Sequence, residues 1–173
     1  MIIIMKKLSV DTVKQMLKAD IVRDNTNTLK SATHVYELDI ESVEFLRTLV
    51  FPYHSNTQLV TPRGFLGGRY YTVEQVMDHF FSLDQSFQEL AERTDVHQHE
   101  REWWARCHHI CESFDMAKFG IIILRQANRS EMRQCPHSSF RILDGLHRII
   151  TVVWLVSRSK INFQTIKSLV VIK

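Results

Sequence analysis

The chain has 173 residues, of which 45% are hydrophobic and 24% are charged. This length supports one globular core and is too short for two ordinary domains, and the composition excludes a disordered chain. The net charge of +3 suits an anionic ligand but does not by itself indicate nucleic acid.

The cysteines and the amino-terminal segment indicate the cellular compartment. Cys107 and Cys111 are four residues apart on a predicted helix, and Cys135 leaves an odd number, so we expect reduced thiols. The amino-terminal apolar run is too short for a signal peptide, and no run approaches the length that crosses a bilayer. We therefore expect a cytoplasmic protein with no membrane partner.

The amino-terminal part of the chain predicts a helix, a loop and a strand. Apolar residues at helical spacing predict a helix over 9–19 with Ser9 as its cap, and the polar residues 20–33 predict a loop. Alternating apolar and acidic residues predict a strand over 35–40. A helical pattern then follows over 41–50.

The strongest helical pattern begins at residue 72. Thr72 and Gln75 form a capping box, and apolar residues every three or four positions predict one helix as far as Leu90. A second helix is predicted over 96–114, with Asp95 as its cap.

The last third of the chain predicts strands around one helix. The apolar run 119–124 is typical of a strand buried on both faces, and a second strand is predicted over 140–143. A sharp turn at 144–145 leads into a helix over 146–158, and the final strand is predicted over 169–172. This order of elements indicates a mixed α and β class.

Residues that carry chemistry concentrate at the strand–turn–helix corner. The free N–H groups of the first helical turn attract an anion, and Arg148 adds a guanidinium group beside His147. Gly145 lets the backbone approach a phosphate, and Asp144 is placed to bind a metal ion or accept a proton. The alternative is a structural turn in which Asp144 caps the helix and Arg148 is a surface charge.

The sequence Asp-Gly-Leu-His-Arg at 144–148 resembles the Asp-Gly-x-His-Arg signature of the ParB/sulfiredoxin-like superfamily. The similarity extends over 105–173, where a helix, a glycine, a buried strand, a hairpin strand, the signature, a helix and a final strand follow one another. The strand over 36–40 would be the first strand of the family. The resemblance implies an α+β fold with a small mixed sheet and packed helices. A single domain would span 1–173, with a helical insertion at about 52–95.

The signature residues distinguish members of this family. Sulfiredoxins carry their reactive cysteine directly before the His-Arg pair, where this chain has Leu146, so we do not expect sulfiredoxin activity. Chromosome-partitioning ParB proteins carry Gly-Glu-Arg-Arg at the corner, where this chain reads Gly-Leu-His-Arg. We therefore do not expect a partitioning protein.

Other members of the superfamily include small-molecule kinases, such as free serine kinases. The resemblance to them implies a nucleotide-dependent phosphotransferase that binds ATP or ADP with Mg2+ and acts on a small hydroxyl-bearing metabolite. Asp144 would assist the metal ion, and the nucleotide would contact Gly145, Leu146, His147 and Arg148. Leu146 replaces a polar residue of the related kinases, so the identity of the acceptor stays open, as does the oligomeric state.

The resemblance also implies a catalytic base. In the similar kinases, a glutamate from the amino-terminal part of the domain activates the acceptor hydroxyl. By position, Glu41 is the candidate, with Glu37 and Glu44 as alternatives. Asp144 and His147 complete the predicted catalytic set, because an in-line transfer requires a metal ion, a phosphate clamp and a base.

A glycine-rich loop precedes the strongest helical pattern. Gly67, Gly68 and Arg69 are candidates for a second phosphate contact or for a lid over the nucleotide. The loop lacks the Gly-Lys-Ser/Thr ending of a P-loop, and a flexible connection is the alternative.

The predicted helix over 96–114 carries several residues that bind metals elsewhere. One face of it would hold His97, Glu100, Trp104, His108 and Cys111. Their spacing matches no standard zinc motif, so we interpret them as packed cysteines beside a solvated histidine-rich edge. We expect Trp103 in the core and Trp104 at its rim.

The sequence is also compatible with two further functions. One is a DNA-associated protein, either a nuclease or a regulator of a DNA modification or defence system, in which Arg125, Arg129 and Arg133 face the DNA backbone. The other is a nucleotide-binding module without turnover.

Overall fold

The computed structural model describes residues 4–19, 32–51, 69–81, 84–96 and 98–172. The strands are β1 Lys6–Lys7, β2 His34–Ile40, β3 Ile122–Gln126, β4 Phe140–Asp144 and β5 Ile166–Ile172. The helices are α1 Val10–Ala19, α2 Val43–Thr48, α3 Val73–Phe81, α4 Phe87–Glu92, α5 Gln98–Glu112, α6 Arg129–Gln134 and α7 Leu146–Ser157, with a 3-10 turn at Met116–Lys118. Most of the loop predicted over 20–33 lies outside the described residues.

The five strands form one mixed sheet in the order β1-β2-β5-β3-β4. β3 and β5 are parallel, and the other neighbouring pairs are antiparallel. The register places Ser168 of β5 between Leu38 of β2 and Ile122 of β3. The ends of β2 and β4 therefore lie at the same end of the sheet as the starts of β3 and β5. We call this end the corner edge.

The sheet and helices confirm the predicted α+β class. Ile122, Ile123 and Leu124 of β3 are completely buried, as predicted, because β3 lies between β5 and β4 with both of its faces covered. Side chains from α2, α3, α5 and α7 pack in one apolar core against the sheet face that carries Leu38 and Ile142. None of the described helices is long and apolar enough to cross a bilayer.

The single helix predicted from residue 72 to residue 90 is wrong, because the structure contains two helices, α3 and α4. The predicted capping box of α3 is present, with the backbone N–H of Thr72 donating to Gln75 and that of Gln75 donating to Thr72. Asp84 then takes a left-handed conformation (φ +49°), and Ser86 and Glu89 form a new capping box that starts α4. The apolar spacing continues across this break because both helices bury a face in the same core.

The indole of Trp104 is fully buried, so the predicted position at the rim of the core is wrong. Its ring centroid lies 4.1 Å from that of Phe80 in α3 and 5.8 Å from that of Phe87 in α4. The sequence shows Trp104 on the polar side of α5, but α4 packs over that side.

The predicted cap of α5 was Asp95. Its carboxylate accepts two hydrogen bonds from the side chain of Arg93, and α5 begins three residues later, at Gln98.

The polar stretch before β4 contains α6, a short helix that was not predicted from the sequence. Asn128 and Glu131 form its capping box. Glu131 is completely buried and accepts hydrogen bonds from Arg125 (2.5 and 2.8 Å) and Arg141 (2.5 Å). Burial alone would raise the pKa of Glu131, but these bonds and the backbone N–H of Asn128 outweigh it and lower the pKa below its ordinary value. The contact attaches α6 to β3 and β4.

We expect Glu131→Gln to destabilise the protein by about 3 kcal/mol at pH 7, because it removes the charge that two partly buried arginines share. Since the folded-state pKa lies below the ordinary value of 4.5, the stabilisation is complete above pH 4.5 and is lost as pH falls through the folded-state pKa. Urea unfolding of both proteins at several pH values measures this difference.

The matched control is Glu112→Gln, the same chemical change at a carboxylate that is 64% exposed. This control should change stability by less than about 0.5 kcal/mol. Equal losses in the two variants would contradict a structural role for the Glu131 ion pairs.

Candidate functional site

The corner is a tight turn between β4 and α7. β4 ends at Asp144, which pairs with Ile123 of β3, and α7 begins one residue after Gly145. Gly145 has φ +89°, a left-handed conformation that side chains rarely adopt. A Cβ atom at this position would lie 2.6 Å from Cγ2 of Ile122. Glycine is therefore required here for two reasons, the left-handed backbone angle and the close packing against β3.

Arg148 connects α7 to the segment that leads into β3. Its guanidinium donates to the carbonyl oxygens of Phe119 (2.6 Å) and Ile121 (3.0 Å), and it lies 5.7 Å from the centroid of the Phe119 ring. It also contacts the carboxylate of Asp144 at 3.4 Å. The side chain is 25% exposed, so Arg148 is an ordered cation at the corner and not a freely solvated surface charge.

The first turn of α7 has no side-chain cap. Gly145 occupies the cap position and supplies no side-chain cap hydrogen bond to the helix start. Asp144 pairs with Arg148 instead and is 35% exposed, so the interpretation of Asp144 as a helix cap is wrong. The first N–H groups of a helix lack partners within the helix and carry partial positive charge. They lie beside the Asp144 carboxylate and the Arg148 guanidinium.

His147 is a half-buried imidazole that is neutral at neutral pH. Its ring centroid lies 5.2 Å from that of Trp103 in α5, and its Nε2 atom is buried without a hydrogen-bond partner among the described residues. Burial, together with the positive charge of Arg106, lowers the pKa of His147 from 6.5 to about 4. At neutral pH, His147 therefore supplies a neutral nitrogen and no positive charge.

Glu41 follows β2 and lies at the corner edge, the same end of the sheet as Asp144. β5 and β3 lie between β2 and β4, so the two carboxylates are three strand spacings apart. Neighbouring strands are about 4.8 Å apart, which gives a separation of roughly 14 Å across the edge. The two residues share one edge but do not contact each other.

A cleft of about 600 Å³ lies beside Glu41. Lys6, Glu37 and Lys167 also line it, and Glu37 pairs with Lys167 at 2.6 Å. Glu44 lies in the first turn of α2 and does not line this cleft. Of the three candidate bases, Glu41 is the one that is both exposed and on the cleft wall.

The glycine-rich loop contributes one described residue. Gly67 and Gly68 lie outside the described residues. Arg69 is exposed and precedes Tyr70, whose ring lies 5.7 Å from the guanidinium of Arg141. Arg141 belongs to the start of β4, away from the corner edge. The structure therefore places Arg69 beside α6 and not beside the signature.

The predicted histidine-rich face of α5 is buried in part. Glu100 and Trp104 are buried, His108 and Cys111 are half-buried, and His97 lies outside the described residues. Burial raises the pKa of the Cys107 thiol, so this cysteine is not a reactive thiolate. Over the described part of the chain, no three His, Cys, Asp or Glu side chains are close enough together to hold a metal ion.

The cluster of arginines around α6 is not predicted by the sequence pattern. The spacing Asn128-x-x-Glu131 is a capping-box signal that would have revealed this helix. Nothing in the local pattern shows that Arg125 and Arg141 both contact Glu131, since they come from two separate strands.

No family model matches the chain, and neither curated proteins nor solved structures include a similar protein at a significant level.

We expect Gly145→Ala to destabilise the protein by about 2–4 kcal/mol, since it combines an unfavourable backbone angle with overpacking against Ile122. Thermal and urea unfolding measure the effect. A double-mutant cycle with Ile122→Ala tests the cause, because removing the opposing methyl group relieves the overlap. Additive effects in that cycle would contradict the steric explanation.

The lowered pKa of His147 predicts a stability that depends on pH. Below pH 6.5 the unfolded chain binds a proton that the folded protein excludes until about pH 4, so stability falls by about 3 kcal/mol over that range. His147→Gln and His147→Phe remove this part of the pH dependence. NMR titration of the imidazole measures its pKa directly, and a value near 6.5 would refute the prediction.

Proposed function

We propose that this protein is a ParB/sulfiredoxin-like, nucleotide-dependent phosphotransferase that acts on a small hydroxyl-bearing metabolite in the cytoplasm. The observation that carries the proposal is the start of α7 at the left-handed Gly145, which has no side-chain cap, between the ordered Arg148 guanidinium and the partly exposed Asp144 carboxylate. Such a helix start binds phosphate through its N–H groups.

The residues at the corner fit a nucleotide with Mg2+. The amide groups of α7 and the guanidinium of Arg148 would hold phosphate oxygens of ATP or ADP. Mg2+ is commonly bound by one or two carboxylates together with the phosphates of the substrate, and Asp144 supplies one carboxylate. When bound, the metal ion neutralises charge on the transferring phosphate.

Glu41 would act as the general base. Its exposed carboxylate faces the cleft on the corner edge, where a hydroxyl-bearing acceptor would enter and lose its proton to Glu41. A nucleotide that extends along the edge from the signature would direct its terminal phosphate toward this cleft.

His147 would contribute orientation and not charge. Its neutral ring packs on Trp103, and its Nε2 atom is enclosed by the protein without a hydrogen-bond partner among the described residues. The same packing aligns the first turn of α7. A neutral side chain here avoids competition with Arg148 for the phosphate.

The test combines nucleotide binding with phosphate transfer. Calorimetry with ATP or ADP and Mg2+ should show binding that Asp144→Asn and Arg148→Ala each weaken at least about tenfold. Labelled ATP and a pool of metabolites should give a labelled product. Glu41→Gln should slow this transfer about 100-fold or more while leaving nucleotide affinity unchanged, because a general base contributes that factor to the rate.

Matched controls separate chemistry from folding. Glu44→Gln makes the same change outside the cleft and should retain full transfer. Arg148→Lys keeps the charge but loses the paired hydrogen bonds to Phe119 and Ile121, so unfolding of both Arg148 variants reports on the structural contribution. Absence of nucleotide binding would refute the proposal, and binding without transfer would indicate the nucleotide-binding module instead.

A further inference from the structure

Five arginines lie around α6, at the end of β3 and β4 opposite the corner edge. The α6 surface consists of Arg69, Arg125, Arg129, Arg133 and Arg141. Residues 125–141 contain four of these arginines and one glutamate, a formal charge of +3 that equals the net charge of the whole chain. The rest of the chain has equal numbers of basic and acidic residues, so the net positive charge comes from this segment.

The arginines on the strands are held in fixed positions. Arg125 and Arg141 face each other across β3 and β4, and both bind the buried carboxylate of Glu131. They remain 24% and 13% exposed, so part of each side chain is accessible to a ligand. Both side chains therefore bind the same carboxylate at the base of the surface.

Arg69 is connected to α6 through the next residue. The backbone N–H of Tyr70 donates to the side chain of Gln134 at 2.9 Å, and the guanidinium of Arg141 lies 5.7 Å from the centroid of the Tyr70 ring. Arg69 itself is exposed. These contacts bring a segment distant in sequence onto the same surface.

Arg129 and Arg133 form the outer part of the surface. They are four residues apart on α6, a spacing that places both side chains on one face of the helix. Glu131, between them in sequence, points toward the sheet, whereas both arginines are exposed. Their substitution therefore leaves the buried contacts of α6 intact.

We infer that the α6 surface binds the sugar-phosphate backbone of a nucleic acid, largely independently of base sequence. Arginine is the residue whose planar group matches phosphate oxygens most closely, and residues 125–141 contain four arginines and no lysine. Arg141 covers one face of the Tyr70 ring, which limits stacking of a base on it. Ordered arginines without an open stacking platform favour contacts to phosphates over contacts to bases.

The direct test is fluorescence anisotropy with labelled oligonucleotides of about 20 units: duplex DNA, single-stranded DNA and single-stranded RNA. At low salt the protein should bind at least one of these probes, and the affinity should fall steeply as salt increases. The double variant Arg129→Ala/Arg133→Ala should weaken binding at least about tenfold. For duplex DNA it should also reduce the slope of log affinity against log salt by about 1.8, since each lost phosphate contact removes about 0.9.

The control is Lys118→Ala/Lys160→Ala, which removes the same charge from exposed side chains that precede β3 and β5. This control should bind within about twofold of the unchanged protein. Circular dichroism establishes that both double variants are folded, and unchanged nucleotide binding by the α6 variant separates this inference from the proposed phosphotransferase.

Three outcomes would overturn the inference. The first is no binding to any of the oligonucleotides at the lowest salt concentration. The second is an equal loss of affinity in the two double variants, which would reflect overall charge. The third is tighter binding of a poly-glutamate peptide than of the oligonucleotides, which would identify an acidic protein surface as the partner.

Discussion

The contact between Gly145 and Ile122 sets the geometry of the corner. Because glycine has no Cβ atom, the turn after β4 can pack directly against β3, and α7 begins there. Arg148, one turn into α7, then reaches back to the carbonyl oxygens that precede β3. β3 and α7 are thus attached at two adjacent points, and the groups between them have little freedom to move.

This attachment gives each signature residue a structural role next to its proposed chemical role. Gly145 allows close packing and leaves the helix start open, and Arg148 satisfies two carbonyl groups and remains partly exposed. His147 stays neutral because it is packed against Trp103. A site of this kind is preorganised, since the groups that would meet a ligand are held in place by the core.

The local patterns predicted the elements of the corner well, since each depends on neighbouring residues. The buried run before Leu124 and the turn at Gly145 can be read directly from the sequence. The break between α3 and α4 was missed because the apolar spacing continues through it, and Trp104 was misplaced because α4 covers a side of α5 that looks polar. The ion pairs of Glu131 depend on the pairing of β3 with β4, which no local pattern contains.

The position of β5 in the sheet has a consequence for synthesis of the protein. β5 is the last strand in chain order but lies between β2 and β3, and the side chain of Ser168 donates to the carbonyl of Leu38, 130 residues earlier. Until residues 166–172 leave the ribosome, β2 and β3 each lack the neighbour that covers one edge. Between the synthesis of β3 and that of β5, a nascent chain therefore holds two incomplete strand edges, and pairing with other chains competes with folding.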